Sequence, residues 1–313
     1  MAACAVAPAW PLFVVGFMVL GVGAGIIDSG VNALFMDLYP GERTTMLNRL
    51  HLWVAIGALV APLAIGQLLE RELAWQWVAF GSAVAAALVG VALAVVPMPS
   101  GRRGSGVEAT AVDGTSARRP GPASTAAFLP LAALALAIAC YIATEMGVTS
   151  WVVLFLSEAP VGLATLTLSL FWAGLALGRL VFGRIGERLS PDTLAIGMAT
   201  IAGAAILSAV ALPVLPLRLV LFAVAGFAAG PIYPTIMAIG GARYPDRTSF
   251  VAAVLAASAV VGALVYPPLV GFISATAGLA AGMAGAGVVS LVTAGAVVVA
   301  GRTGRGAALQ PLT

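Results

Sequence analysis

The chain has 313 residues, of which 61% are hydrophobic and 9% charged, with a net charge of +3 and a mean hydropathy of +1.08. A soluble domain keeps roughly a quarter of its residues charged, so a water-soluble globular class is excluded. Fifteen arginines without a lysine, a single His and the two separated cysteines Cys4 and Cys140 exclude a Walker-type phosphate loop, Schiff-base chemistry, a disulfide framework and a metal cluster, and no cofactor is expected.

Apolar runs long enough to cross a hydrocarbon core of about 30 Å recur along the chain. They predict an all-α polytopic membrane protein with nine spans at 11–38, 46–69, 75–96, 128–156, 163–182, 192–212, 217–240, 250–273 and 279–300. The first carries GAGIIDSGVN, residues 23–32. At 1.5 Å per residue, Asp28 lies roughly 25 Å from one end of this helix and about 17 Å from Pro40. Gly21, Gly25, Asp28 and Asn32 are spaced by four, three and four residues, so they share one face. The glycines on that face either permit close helix approach or line a cavity. An ionised carboxylate at this depth costs about 2.5–3.5 kcal/mol on insertion scales, so Asp28 is a functional candidate that binds and releases a proton, and Asn32 is its polar neighbour. A purely structural acid and an interhelical hydrogen bond are the plain alternatives for the two residues.

The second span opens with MLNRLH, which places Asn48 and His51 three residues apart. Between the third and fourth spans, residues 98–127 are rich in Pro, Gly, Ser and Arg and predict a flexible linker. In the fourth span, YIATEMGVTSW puts Tyr141, Glu145 and Thr149 on one face, with Trp151 beyond them. Glu145 either titrates or is structural. Trp151 either stacks on a solute or sits in the interfacial belt. GRIGERLS follows the fifth span, and in the seventh GPIYPT sets Pro231 and Pro234 around Tyr233. Such a sequence predicts a broken helix lining a cavity, or a plain kink. The ninth span ends in an arginine-bearing tail, 302–313.

Two patterns organise these elements. With the 98–127 linker placed in the cytoplasm, thirteen arginines fall at or near cytoplasmic ends and only Arg71 and Arg218 outside. The positive-inside rule then predicts a multi-pass plasma-membrane protein with this chain's N-terminus outside and C-terminus inside. It explains the positive charge without nucleic acid. Second, a shift of 205 residues lays GALVAPLAIG (57–66) on GALVYPPLVG (262–271), Gly21 on Gly226, Gly25 on Gly230 and Tyr39-Pro40 on Tyr244-Pro245. Spans one to three therefore repeat as spans seven to nine, and repeated bundles are the architecture of alternating-access transporters.

These features resemble the major facilitator superfamily: two six-helix halves joined by a long cytoplasmic linker. The resemblance aligns residues 1–97 with the fourth to sixth family helices, as a partial N-terminal half, and residues 128–301 with a complete C-terminal half. It implies an N-terminally truncated form of the twelve-helix fold, with MAACAVAPAW as the tail of a third helix. GRIGERLS resembles the family's cytoplasmic gate motif through Gly183, Glu187 and Arg188, with Glu in place of Asp and Ser190 in place of Gly. Its acid and Arg would lock the cytoplasmic seam.

IDSGVN with MLNRLH resembles the L-fucose–proton symporter branch, as does YIATEMGVTSW, where Ala143 stands in place of a Gly. The implied roles are proton coupling for Asp28 and Glu145, and solute binding for Asn32, Asn48, His51, Tyr141 and Trp151, with Tyr233 of the broken GPIYPT helix added to the solute-binding set. His51 replaces the branch's Gln. The implied function is proton-coupled uptake of a sugar or similar small hydroxylated solute; its partners would be solute, protons and lipid, and it would not be an enzyme. Proton-driven efflux of amphipathic compounds and a transport-inactive fragment or scaffold are the alternatives. Without the first family helix, these 313 residues alone are expected not to perform coupled transport, whereas coupling that depends on Asp28 is expected of a full-length product.

Overall fold

The computed structural model describes residues 10–70, 74–95 and 125–308. The linker's residues 98–124, the opening MAACAVAPA, Arg71 and the 309–313 tail lie outside them. Ten α-helices follow in order: α1 Trp10–Leu38, α2 Arg43–Glu70, α3 Trp75–Val95, α4 Thr125–Phe155, α5 Val161–Ile185, α6 Pro191–Ala211, α7 Leu215–Ala229, α8 Ile232–Arg243, α9 Thr248–Ala277 and α10 Leu279–Ala308. Single 3-10 turns, Gly186–Arg188 and Pro245–Arg247, connect α5 to α6 and α8 to α9.

Eight helical segments among the described residues, with α7 and α8 taken together, are long and apolar enough to cross a membrane. The 28-residue α2 occupies the second predicted span. The nine predicted spans thus fall on these helices within a few residues at each end, except that the helix of the ninth span runs on to Ala308. The seventh is divided in two.

That division follows from local chemistry. Pro231 and Pro234 lack backbone N–H groups, so neither can donate to a carbonyl one turn earlier. The helix stops at Ala229 and restarts at Ile232. Its counterpart α1 has no proline in the equivalent stretch and runs unbroken for 29 residues. Shifted by 205 residues, Trp10–Leu38 coincides with the start of α7 and the end of α8, and Arg43 falls on Thr248, the first residue of α9. The repeat is carried in helix boundaries as well as in residues.

Helices α4 to α10 form one packed core. Two GxxxG stripes let α5 and α7 touch backbone to backbone: Gly174 and Gly178 face the Ala223 and Phe227 carbonyls, while Gly226 and Gly230 face those of Phe171 and Leu175. Helix α1 packs on α8 and α9, and α2 on α5 and α8. These contacts concentrate at the arginine-rich end, where Asn32, Ala33, Met36, Leu47 and Asn48 are buried. Toward the other end α1 departs from the core. Gly21, Gly23 and Gly25 have no neighbouring atom within 4 Å of where a Cβ would stand. Of the two sequence readings for this glycine face, close approach or cavity lining, close approach is absent here.

The arginine-rich end is closed by polar contacts between α2 and the end of α5. The Arg49 Nε–H donates to the Gly183 carbonyl at 2.7 Å. The Thr45 N–H donates to Glu187 Oε1 at 3.0 Å, and Gly186 leaves room for the Thr44 methyl. Thr45 stands in the first turn of α2, so Glu187 caps that helix from the far side of the seam, where the positive end of the helix dipole favours a carboxylate. The sequence expected an acid and an arginine to lock this seam. The acid does so through a backbone N–H, while Arg188 is exposed. The one ion pair found among the described residues is Arg243–Asp192, at 2.7 Å, with Arg243 also donating to the Ala300 carbonyl.

Glu187→Ala is expected to remove about 1 kcal/mol of seam closure, in line with the loss of a helix cap. Hydrogen–deuterium exchange at the Thr45 amide should then rise about fivefold, as that energy dictates. Unchanged exchange would show that the carboxylate adds nothing to the seam.

Candidate functional site

Half-buried Asp28 lies where α1, α2 and α8 meet, and both of its carboxylate oxygens accept hydrogen bonds. Asn32, one turn further along α1, donates from Nδ2 to Asp28 Oδ1 at 3.1 Å and to the Asp28 main-chain carbonyl at 2.8 Å. Tyr233 donates from α8 to Oδ2 at 3.2 Å. The Asn32 amide is thereby oriented, with its oxygen pointing away from Asp28. His51 Nε2 lies 3.0 Å from that oxygen, so Nε2 carries the proton and donates. The His51 ring meets the Tyr233 ring edge-on at 4.9 Å. Four residues from three helices thus form one closed cluster across the seam.

A second acid stands behind the first. Tyr141 and Glu145, both buried in α4, share a hydrogen bond from the Tyr141 hydroxyl to Glu145 Oε2. The Tyr141 and Tyr233 ring centres are 6.4 Å apart. The order across the site is therefore Glu145, Tyr141, Tyr233, Asp28, Asn32, His51, with an acid in each wall.

The organising cation is Arg179 of α5, which is 5% exposed. Its Nε donates to the Gly230 carbonyl at 3.1 Å and its Nη1 to the His51 carbonyl at 2.9 Å. The first bond has a local cause. In a helix the Gly230 carbonyl would accept from residue 234, which is a proline and has no N–H. Arg179 supplies the missing donor and ties the α7–α8 break to α2 across the seam. The guanidinium is also within electrostatic reach of His51, Tyr141 and Tyr233.

The sequence reading counted Arg179 with the arginines of helix ends and gave it no role in the site. The available signal was its place in LALGRLVFG, six residues inside the end of its helix, on the same chain as an unpaired GPIYP break.

The remaining candidates fall elsewhere. Asn48 is wholly buried one turn from His51; its Nδ2 donates to the Thr44 carbonyl at 2.8 Å, and its Oδ1 has no partner. Thr235 likewise has a buried hydroxyl without a partner. Trp151 is not brought to the cluster: its indole N–H donates to the Pro267 carbonyl at 3.1 Å and its ring covers Gly271, so it joins α4 to α9. Thr149 returns its hydroxyl to the Glu145 carbonyl. Gly183, Glu187 and Arg188 are at the seam end described above. Among the described residues no group of three His, Cys, Asp or Glu could hold a metal.

This arrangement places two acids, two tyrosines, an Asn and a His in one line where α1, α2, α4 and α8 come together, all of them buried except the half-buried Asp28. It can exchange a proton at Asp28 and offer donors and acceptors to a polar solute. Comparison with known proteins agrees with the architecture. The fold is similar to that of a Major Facilitator Superfamily transporter, FucP, solved in the outward conformation, with a TM-score of 0.74 and 18% identity over 97% of this chain and 77% of that one. It is also similar to the E. coli fucose:proton symporter FucP in a second structure, with a TM-score of 0.72 and 17% identity over 97% of this chain and 80% of that one.

In sequence, 64 residues are 33% identical to the mouse sodium-dependent glucose transporter 1A, a match spanning 20% of this chain and 14% of that relative. The model of the Major Facilitator Superfamily matches residues 1–166, about half of the chain. With the helical repeat, the broken α7–α8 helix and the carboxylate inside the bundle, that match identifies the chain as a member of the Major Facilitator Superfamily.

Proposed function

We propose that the protein is a proton-coupled transporter that takes up a sugar or similar small hydroxylated solute by alternating access. Asp28 is its proton site. The observation that carries this reading is the hydrogen bond from Tyr233 to Asp28, which joins the two repeats across the seam. With both carboxylate oxygens accepting, this contact is charge-assisted, and such bonds are roughly twice as strong as neutral ones. A proton on Asp28 removes that assistance and, when it sits on Oδ2, obliges the Tyr233 hydroxyl to turn from donor to acceptor. Protonation therefore loosens the seam at its centre, which links proton binding to the relative movement of the repeats.

The seam is closed at the arginine-rich end and open beyond Gly25, so the cluster faces the opposite side. Under the positive-inside rule that side is the exterior, and the state is outward-facing. A solute hydroxyl entering there would meet Tyr233, Asp28, Asn32 and His51 from one repeat pair, and Tyr141 and Glu145 from the other wall. Asn48 and Thr235, with their unpartnered buried oxygens, offer further hydrogen-bonding capacity. The polar lining favours hydroxylated solutes over amphipathic ones.

The test is uptake of radiolabelled sugars, in proteoliposomes with an imposed proton gradient, by a form of the protein that carries all twelve family helices. Acid-driven accumulation is expected, and Asp28→Asn should abolish it while leaving solute binding by isothermal calorimetry within an order of magnitude. Accumulation unchanged in Asp28→Asn would sink the proton-site assignment.

A further inference from the structure

Between α2 and the end of α5, on the outside of the bundle, an open crevice of about 200 Å³ is lined by Arg49, Leu52, Leu180, Gly183 and Arg184. Both arginines are exposed, and their hydrogen bonds to oxygen go only to carbonyls: Arg49 Nε to Gly183, and Arg184 Nη1 to Leu180 at 3.2 Å. Neither has a carboxylate within 4 Å among the described residues, where the ion pair found is Arg243–Asp192. Two like charges thus line one cleft with guanidinium N–H groups to spare. An anion placed between them would relieve their repulsion and accept hydrogen bonds from both.

The depth of each residue indicates what carries the anion. Arg49 is six residues into α2, and Arg184 is the penultimate residue of α5, so both lie within about 10 Å of helix ends, at headgroup level. Leu52 and Leu180 lie one turn deeper on the same two helices. The cleft is charged at its rim and apolar toward the bilayer centre, which is the polarity of an amphiphile.

From this geometry we infer that the crevice is a binding site for an anionic phospholipid. The phosphodiester sits between Arg49 and Arg184, and an acyl chain runs along Leu52 and Leu180. Because the cleft spans α2 and α5, a bound lipid bridges the two sides of the closed seam, and by binding that arrangement it stabilises it increasingly as lipid concentration rises above its Kd. The inference is independent of which solute is carried and of whether Asp28 is the proton site.

Native mass spectrometry of the detergent-solubilised protein, with equal amounts of phosphatidylglycerol and phosphatidylcholine, tests it. Phosphatidylglycerol adducts are expected to dominate. Arg184→Gln should weaken them about fivefold, the usual effect of removing one basic residue from an anionic headgroup. Arg184→Lys should restore much of the binding. Arg302→Gln, a charge change on α10 outside the crevice, should leave it unchanged.

Since Arg184 bonds only its own helix, the thermal melting of Arg184→Gln should match that of the parent, which separates lost binding from lost folding. Equal adducts of the two lipids, or binding indifferent to Arg184→Gln, would overturn the site. Displacement of phosphatidylglycerol by millimolar inorganic phosphate would show that the arginines hold the free ion, which overturns the lipid assignment.

Discussion

Replacing Gly226 with leucine is expected to leave little folded protein, whereas the same change at Gly21 is expected to be tolerated. The two positions are equivalent in the 205-residue repeat, and both are glycines inside helices. Their surroundings differ completely. A Cβ at Gly226 would fall on the Phe171 carbonyl oxygen, with the Phe171 carbonyl carbon at 2.8 Å and its Cα at 2.9 Å. These are backbone atoms in α5, so no side chain can rotate out of the way.

The α5–α7 crossing would have to open, taking with it Gly174, Gly178 and Gly230, which rely on the same approach. Overpacking in a core that can adjust typically costs 1–3 kcal/mol, so a rigid backbone contact should exceed about 3 kcal/mol. At Gly21 a Cβ meets nothing within 4 Å. Size-exclusion chromatography of the two variants after expression reads the difference. A monodisperse Gly226→Leu protein at parental yield would show that the α5–α7 contact is looser than described.

Arg179→Leu is the second change expected to be large. It removes a buried cation without leaving an unpaired charge behind, but it leaves the Gly230 carbonyl without the donor it now uses, while the His51 carbonyl, inside α2, keeps its helical partner at position 55. A buried polar group left unsatisfied costs about 1–3 kcal/mol, so Arg179→Leu should lower stability by about 2 kcal/mol. The Gly230 part has a distinguishing control. Pro234→Ala would return an N–H to position 234, giving that carbonyl an intrahelical partner. The loss in melting temperature on Arg179→Leu should therefore be smaller in a Pro234→Ala background than in the parent. Equal losses in both backgrounds would mean that the orphaned carbonyl is not what holds Arg179 in place.

The helices were legible because each needs only a long apolar run with polar or proline-bearing ends, and the membrane permits little else. The break at GPIYPT was legible for the same reason: two missing N–H groups act within one turn. Part of the site was legible too. Asp28 and Asn32 share a face by spacing alone, the resemblance named His51, and the prolines of GPIYPT pointed to Tyr233 as a further candidate.

Arg179 was not legible as a site residue. Its role depends on a carbonyl 51 residues away that a proline has orphaned, and on a second carbonyl in another helix. An arginine near a helix end carries the same sequence signal whether it points to headgroups or inward. Trp151 shows the converse: an aromatic on the right helix, whose indole is engaged by the Pro267 carbonyl rather than directed at the cluster. Spacing assigns a residue to a face, but it does not say which neighbour that face will meet.

The contact between Asp28 and Tyr233 joins a residue to its own counterpart in the repeat, and so does Met36, whose side chain covers Gly241. A half-turn rotation that exchanges two copies brings equivalent positions together only on its axis. Two such pairs, eight residues and about 12 Å apart, place that axis along α1 and α8. On the axis, identical partners are the worst choice: two carboxylates would repel, and two methionines would compete for one space. In this chain the two copies differ at both axial pairs, and each difference is complementary: a carboxylate faces a tyrosine that donates to it, and a methionine faces a glycine that leaves it room.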